Sequence, residues 1–229
     1  MTHPKAPEPI NVLNHGFVRL VDSMGSDVSV TRAAKVSYDA AWKAGEDKGS
    51  DTRLIKYLAR NNHSTPFEAV EFQFEIKAPI FVVRQWHRHR TWSYNELSAR
   101  YRPLPEEFYV PELDQITTQH ADNKQMRTSE QNPKAEHIQN TMKVTNQRAF
   151  EAYQDLIDAG CPRELARSVL PVGTYTHMFA KVNLLNLIKF INLRDHEHAQ
   201  YEIRVYAEAM KELARSVAPV CVDAWLEKA

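Results

Sequence analysis

From Glu68 to Lys77 the chain alternates strictly. Val70, Phe72, Phe74 and Ile76 are apolar, and Glu71, Gln73, Glu75 and Lys77 interleave with them. Successive side chains of an extended backbone point to opposite faces, so the segment predicts a strand with one buried and one polar face. Its apolar face needs a covering layer, and helical stripes elsewhere provide one. Leu54, Tyr57 and Leu58 share a helix face, and Ile138, Met142, Ala149, Tyr153 and Leu156 mark a long amphipathic helix ending at Gly160, a natural C′ residue. Leu184, Leu187, Ile188 and Ile191 give another stripe, and Ile203, Tyr206, Met210 and Leu213 give the last. The pattern predicts an α+β fold: a mostly antiparallel sheet flanked by several helices, in one compact domain over residues 1–229.

Shorter signals fill in the order of elements. Residues 1–15 read as an extended leader, Gly16–Val21 as a strand and Ser29–Tyr38 as a short helix. Trp42–Ser50 is polar with two glycines and reads as a loop, after which Asp51 is placed to cap a helix. Pro79 suits the first turn of a short helix running toward His87. Residues 102–133, polar and with four prolines, predict a partly mobile surface excursion. Pro162 opens a helix that is broken before Pro171, and Thr174–Phe179 suits a strand.

Several function classes are excluded at this level. The 6 glycines fit neither G-x-G-x-x-G nor G-x-x-x-x-G-K-[ST], so neither familiar nucleotide loop is present. Lys plus Arg equals Asp plus Glu at 29 each, which argues against a chain-wide binder of nucleic acid. Two cysteines, Cys161 and Cys221, build no disulfide framework and no Cys-rich zinc site. The longest apolar run, Ala78–Val83, falls far short of the roughly 20 residues that span a bilayer. With no apolar h-region near the N-terminus, the expectation is a soluble, cytoplasmic protein with no membrane partner.

Against this neutral background residues 84–102, RQWHRHRTWSYNELSARYR, carry five arginines and one acid, Glu96, a net +4 with histidines neutral. Planar guanidinium groups suit forked contacts to phosphate or carboxylate, unlike a lysine point charge. Trp86, Trp92, Tyr94 and Tyr101 are interleaved with them, which a purely solvated basic face rarely carries. If the chain is extended here, Glu96, Ser98 and Arg100 project from one face as acceptor, hydroxyl and cation, a constellation for a small phosphorylated ligand.

The residues also carry a resemblance. Arg88-His89-Arg90, seven residues and then Ser98 match the R-H-R-x7-S signature of flavin-dependent thymidylate synthases. The block His63-Ser64-Thr65-Pro66-Phe67-Glu68, followed by the alternating strand, resembles the same family. So does Asn192-Leu193-Arg194 with His198-Ala199-Gln200-Tyr201-Glu202-Ile203. The resemblance implies dTMP synthesis from dUMP, with 5,10-methylenetetrahydrofolate as one-carbon donor and FAD reduced by NADPH. It also implies a homotetramer with active sites between subunits. Carried over position by position, Gln85, Arg88, Glu96, Leu97, Ser98, Ala99, Arg100, Arg167 and Arg194 would surround dUMP. Thr65, Arg88, His89, Arg90, Glu96 and Asn183 would contact FAD, and Arg194 would be the catalytic group that activates the pyrimidine.

Two positions depart from the family pattern: Leu185 stands where an arginine is frequent, and Lys189 where an asparagine is frequent. Neither cysteine lies in the basic motif, so no cysteine nucleophile is expected. His87-x-His89 and His196-x-His198 are poor metal pairs if helical, because residues two apart diverge by about 200°, and no metal is expected. His196 and His198 read instead as helix-face or interface groups, and His63, beside Thr65, is a candidate for a place near flavin or folate. A single-strand nucleic-acid module built on the Arg/aromatic segment is the competing reading, opposed by the zero net charge.

Overall fold

The structure, a computed structural model, describes residues 8–227. Along the chain run β1 (Ile10–Val12), β2 (Gly16–Met24), α1 (Asp27–Lys35), α2 (Lys48–Arg60), β3 (Glu71–Pro79), α3 (Ile80–Trp86) and β4 (Ser93–Glu96). Then come β5 (Thr117–Gln119), β6 (Arg127–Gln131), α4 (Ala135–Asp158), α5 (Arg163–Ala166), β7 (Tyr175–Asn183), α6 (Leu184–Arg194), α7 (Tyr201–Val217) and α8 (Pro219–Leu226). Five strands form one antiparallel sheet in the order β1-β2-β3-β7-β4, and β5 pairs with β6 in a separate hairpin. The architecture is the α+β antiparallel one that the patterning predicts.

The alternating strand is central, paired with β2 on one side and β7 on the other. Phe72, Phe74, Ile76 and Ala78 face the buried layer with Met178, Ala180 and Val182 of β7 and with Leu187, Ile188, Tyr206 and Met210 from the helices. Fully burying a side chain of this size stabilises the fold by about 1.5–3 kcal/mol. On the opposite face Glu75 accepts a hydrogen bond from Arg19 (2.9 Å) and pairs with His177 (2.9 Å). A small residue is required where α7 crosses the β1–β2 turn. A Cβ on Gly16 would collide with the Tyr206 hydroxyl, which donates to the Lys77 carbonyl (2.7 Å).

Local departures from the predicted elements have physical reasons. Part of the 1–15 leader is β1, which joins the sheet edge; residues 1–7 lie outside the described residues. The strand begins at Glu71, not Glu68, because a 3-10 turn over Thr65–Ala69 with Pro66 near its start precedes it. Asp47 caps α2, accepting from the Gly49 and Ser50 amides (2.9 and 3.1 Å), so the helix starts inside the expected loop. Asp51 is instead buried within the helix, bonded to Lys35 and to the Gly45 amide, each at 2.6 Å. Burial alone would raise its pKa, but these bonds hold the carboxyl below its ordinary range.

Helix α4 ends as expected: Gly160 has φ +80°, and the Gly160 and Cys161 amides donate to Ile157 and Leu156 (2.9 Å each), a Schellman closure. Only Ala135 and Tyr153 of that long helix are buried, however, and Met142 is exposed. The 102–133 stretch, expected as an excursion, contains the β5–β6 hairpin, and its Phe108 bridges to Thr174. A last helix, α8, follows the stripe expected to be final, and its Cys221 and Val222 complete the core. No helix among the described residues is long and apolar enough to cross a membrane.

Candidate active site

Helix α3 delivers the basic motif. It ends at Trp86, whose buried indole stacks on Phe190 of α6 (4.9 Å) and meets Trp92 and Tyr206 edge-on. Beyond it Arg88, His89 and Arg90 form a tight turn in which the His89 amide donates to the Trp86 carbonyl (2.9 Å). The Tyr94 hydroxyl closes the turn, reaching the Trp86 and His89 carbonyls at 3.2 and 3.1 Å. Burial pushes that phenol up, so it remains a donor. Trp86 and Trp92 are therefore packing that anchors the turn, not an open stacking platform; Tyr101 alone of the four aromatics is largely exposed.

Arg194, at the end of α6, reaches across this turn. Its Nε donates to His89 Nε2 (3.2 Å) and its Nη2 donates to the Gln85 carbonyl (3.3 Å). A guanidinium only donates, so His89 Nε2 accepts and the imidazole proton sits on Nδ1. Burial first, and then the Arg194 charge, push the His89 pKa down to about 4, so the ring is neutral at neutral pH. Burial also lowers the Arg194 pKa. Arg84, Arg88, Arg90 and Arg102 have no ion-pair partner among the described residues, which leaves their guanidinium groups available to an anion.

A second group forms beyond β4. Glu96 accepts from the Thr176 hydroxyl (2.7 Å), and the Leu97 amide donates to the His177 carbonyl (2.8 Å). The chain then turns: the Tyr101 amide bonds the Ser98 carbonyl (3.1 Å), and the Arg100 amide lies 3.3 Å from Ser98 Oγ. The extended alternation expected for Glu96, Ser98 and Arg100 therefore stops at Glu96, and Ala99 is buried within the turn. Arg100 pairs with Glu164 (3.3 Å), and Arg167 Nε donates to the Glu164 carbonyl (3.3 Å), which brings the two arginines to one place.

Asn183 stands at the other end of α6 from Arg194, and Thr65 lines a separate cleft. Thr65 lines a cleft of about 480 Å³ with Tyr38, Tyr57 and His63. Asn183 caps α6, its Oδ1 accepting from the Asn186 amide (2.9 Å), at the end of that helix opposite Arg194. Eleven residues of helix separate them by about 16 Å. One chain therefore does not gather all the candidate residues into one pocket.

A polar chain without a sequence assignment adjoins the first group. Glu202, buried in the first turn of α7, accepts from Tyr109 (2.9 Å), Arg127 (3.1 Å) and Gln200 (2.8 Å). Gln200 Oε1 accepts from Gln85 Nε2 (2.6 Å). Gln200 and Glu202 stand in one of the family-like sequence blocks, but nothing there marked their linkage to Gln85 or to Arg127 of the hairpin.

The family model described as thymidylate synthase complementing protein matches residues 19–220. The chain belongs to this family. A flavin-dependent thymidylate synthase of Ehrlichia ruminantium (strain Gardel) is 47% identical over 217 residues, 94% of this chain and 72% of that protein. One from Thermotoga neapolitana is 43% identical over 221 residues, covering 96% of this chain and 95% of its own. The crystal structure of a UMP/dUMP methylase, PolB from Streptomyces cacaoi, bound with 5-Br dUMP, matches with a TM-score of 0.87 and 38% identity, covering 95% of this chain and 97% of that one. The protein is thus an enzyme of the flavin-dependent thymidylate synthase family, a flavoprotein and a methyltransferase.

Within this family member the two departures differ in setting: Leu185 is buried in the core, whereas Lys189 is exposed. Cys221 is fully buried, and burial followed by the Asp27 charge pushes its thiol far up, so it is not presented as a nucleophile. Cys161 lines a cleft of about 470 Å³ with Arg100 and Tyr101. His196 and His198, expected as helix-face or interface groups, sit in the turn between α6 and α7, their rings 4.8 Å apart and off any helix face, because α6 ends at Arg194 and Asp195 pairs with Lys211. Among the described residues no three His, Cys, Asp or Glu side chains gather as a metal site.

Proposed function

We propose that the enzyme converts dUMP to dTMP in the cytoplasm, with 5,10-methylenetetrahydrofolate as one-carbon donor, FAD as flavin and NADPH as reductant. The observation that carries this reading is the half-buried Arg194, held over the R-H-R turn by His89 and by the Gln85 carbonyl. Methylation at uracil C5 needs electron density at that carbon. A guanidinium beside the N3–C4=O edge stabilises an anionic pyrimidine, as an oxyanion donor does. The neutral His89 holds that guanidinium from one side without adding a second positive charge.

The phosphate of dUMP, carrying about −1.5 to −2 near neutral pH, is assigned to Arg100, Arg167 and the Ser98 hydroxyl. Arg100 must exchange Glu164 for it. That ion pair is exposed on both sides and worth at most about 1 kcal/mol, so a doubly charged phosphate displaces it readily. Gln85, Arg88, Glu96 and the Leu97–Ala99 backbone complete the nucleotide surroundings.

The donor set fits FAD. Arg88 and Arg90, exposed and without carboxylate partners among the described residues, suit a pyrophosphate. Thr65, the neutral His89, the Glu96 carboxyl group and the remaining amide nitrogen of Asn183 supply further polar contacts. These residues would hold the flavin, whose chemistry when bound and reduced would be hydride supply to the transferred one-carbon unit. The length of α6 between Asn183 and Arg194, about 16 Å, and a cleft at Thr65 lined by none of the other residues assigned to dUMP or FAD, support a homotetramer whose active sites lie between subunits.

Incubation of the purified protein with dUMP, 5,10-methylenetetrahydrofolate and NADPH, with and without FAD, tests the reading by product analysis. FAD-dependent dTMP is the expected result. Flavin-loaded, folded protein that forms no dTMP overturns the substrate assignment. Protein that binds no flavin, yet binds oligonucleotides with steep salt dependence, returns the nucleic-acid reading.

A further inference from the structure

Three donors converge on one buried carboxylate, Glu202: Tyr109 and Arg127 on Oε1, Gln200 on Oε2. Arg127 comes from the β5–β6 hairpin and Tyr109 from the segment before it, so groups distant in sequence fix the carboxylate in place. Burial, and then the Glu202 charge, push the Tyr109 hydroxyl up, which keeps it a donor. The Gln200 amide leads from this carboxylate to Gln85, the residue whose backbone carbonyl holds Arg194.

We infer that Glu202 is a positioning residue that sets, through Gln200, which end of the Gln85 amide faces the nucleotide. The argument follows the hydrogens. A carboxylate accepts and never donates, so Gln200 must turn its Nε2 toward Glu202. Its Oε1 then faces Gln85, so Gln85 must turn its own Nε2 toward Gln200. Both bonds are present, at 2.8 and 2.6 Å. The Gln85 Oε1 is left without a protein partner among the described residues, as an acceptor suited to an N–H or sugar hydroxyl of a nucleotide. The inference rests on the reading of Gln85 as a dUMP contact and adds to it the polarity of that contact and the residue that imposes it.

Replacing Glu202 by glutamine keeps the shape and reverses the constraint. The side-chain oxygen of the substituted residue still receives Arg127 and Tyr109, but its amide nitrogen now faces Gln200, which must turn its own oxygen to meet it. Gln200 then offers Nε2 to Gln85, and Gln85 swings its own donor toward the ligand. A purely structural Glu202 predicts no such propagation.

The test uses the flavin-loaded, full-length enzyme and its Glu202→Gln, Gln200→Leu and doubly substituted forms. We expect kcat/KM for dUMP to fall about three- to tenfold in each single variant, the loss associated with one mismatched hydrogen bond to the nucleotide. The double variant is expected to be no worse than the more severe single one, because both act along one path. Glu202→Gln within twofold of the parent, or losses that multiply in the double variant, overturn the inference. Gln200 is exposed, so Gln200→Leu carries the test if Glu202→Gln fails to fold. A second readout needs no turnover: the Gln85 side-chain amide protons, resolved by ¹⁵N–¹H spectroscopy, are expected to show the slowed exchange of a bonded amide in the parent and to lose that protection in Glu202→Gln. Unchanged protection overturns the relay, whereas lost protection in an enzyme inert toward dUMP upholds the relay and refutes only the substrate reading.

Discussion

His89 converts the geometry of the R-H-R turn into a measurable pH dependence of stability. Its pKa falls from 6.5 to about 4 on folding because the ring is half-buried and Arg194 lies against it. Between those two values the unfolded chain holds a proton on this ring and the folded protein does not. Stability contributed by His89 is therefore fully present above pH 6.5 and is lost as the pH falls toward 4. A displacement of that size is worth about 3 kcal/mol for a fully buried ring, and with part of this ring in solvent it contributes about 1–2 kcal/mol. Urea unfolding of the parent and of His89→Gln from pH 7.5 to 4.5 isolates the effect. The other acid-sensitive groups are common to both proteins, and glutamine can still accept from Arg194. The parent should lose about 1–2 kcal/mol more than the variant over that window. Parallel pH profiles, or a His89 ring that titrates near 6.5 by NMR, would refute the reasoning.

Four further outcomes rest on the same geometry. Gly16→Ala sets a methyl group against the Tyr206 hydroxyl and 2.6 Å from the Val12 carbonyl, so it should cost about 1–3 kcal/mol in thermal or urea unfolding. Adding Tyr206→Phe should recover only part of that loss, because the backbone carbonyl stays. Arg194→Ala should depress kcat by more than it weakens dUMP binding in calorimetry; equal losses would remove its activating role. The double Cys161→Ala, Cys221→Ala enzyme should retain dTMP synthesis, and complete loss in a folded variant would show that a thiolate is needed after all. Lys189→Ala should weaken FAD binding by fluorescence titration if this exposed cation meets a cofactor phosphate, and unchanged affinity would reject that contact.

Periodicity made the sheet legible because burial of one face is a local property of an extended chain: Phe72, Phe74 and Ile76 could face only inward. The basic segment around Arg88–Arg90 was legible for a different reason, since five arginines stand out in a neutral chain, and Ser98 was marked by the R-H-R-x7-S resemblance rather than by the extended alternation, which stops at Glu96. Local chemistry also announced Gly160, whose left-handed φ closes α4. Choices between equivalent local options were not legible. Asp47 and Asp51 are both able to cap α2, and only the approach of Lys35 and the Gly45 amide made one the cap and the other a buried ion-pair partner. Trp86 and Trp92 read alike as stacking platform or anchor until α6 brought Phe190 against them. The same holds for the Glu202–Gln200–Gln85 chain, whose ends lie 117 positions apart in sequence. Periodicity and motif report what a residue is and what its neighbours along the chain are; the direction of a hydrogen bond between distant residues exists only once the chain has closed on itself, and in this enzyme that closure links Glu202 through Gln200 to Gln85 and lays Arg194 across the R-H-R turn.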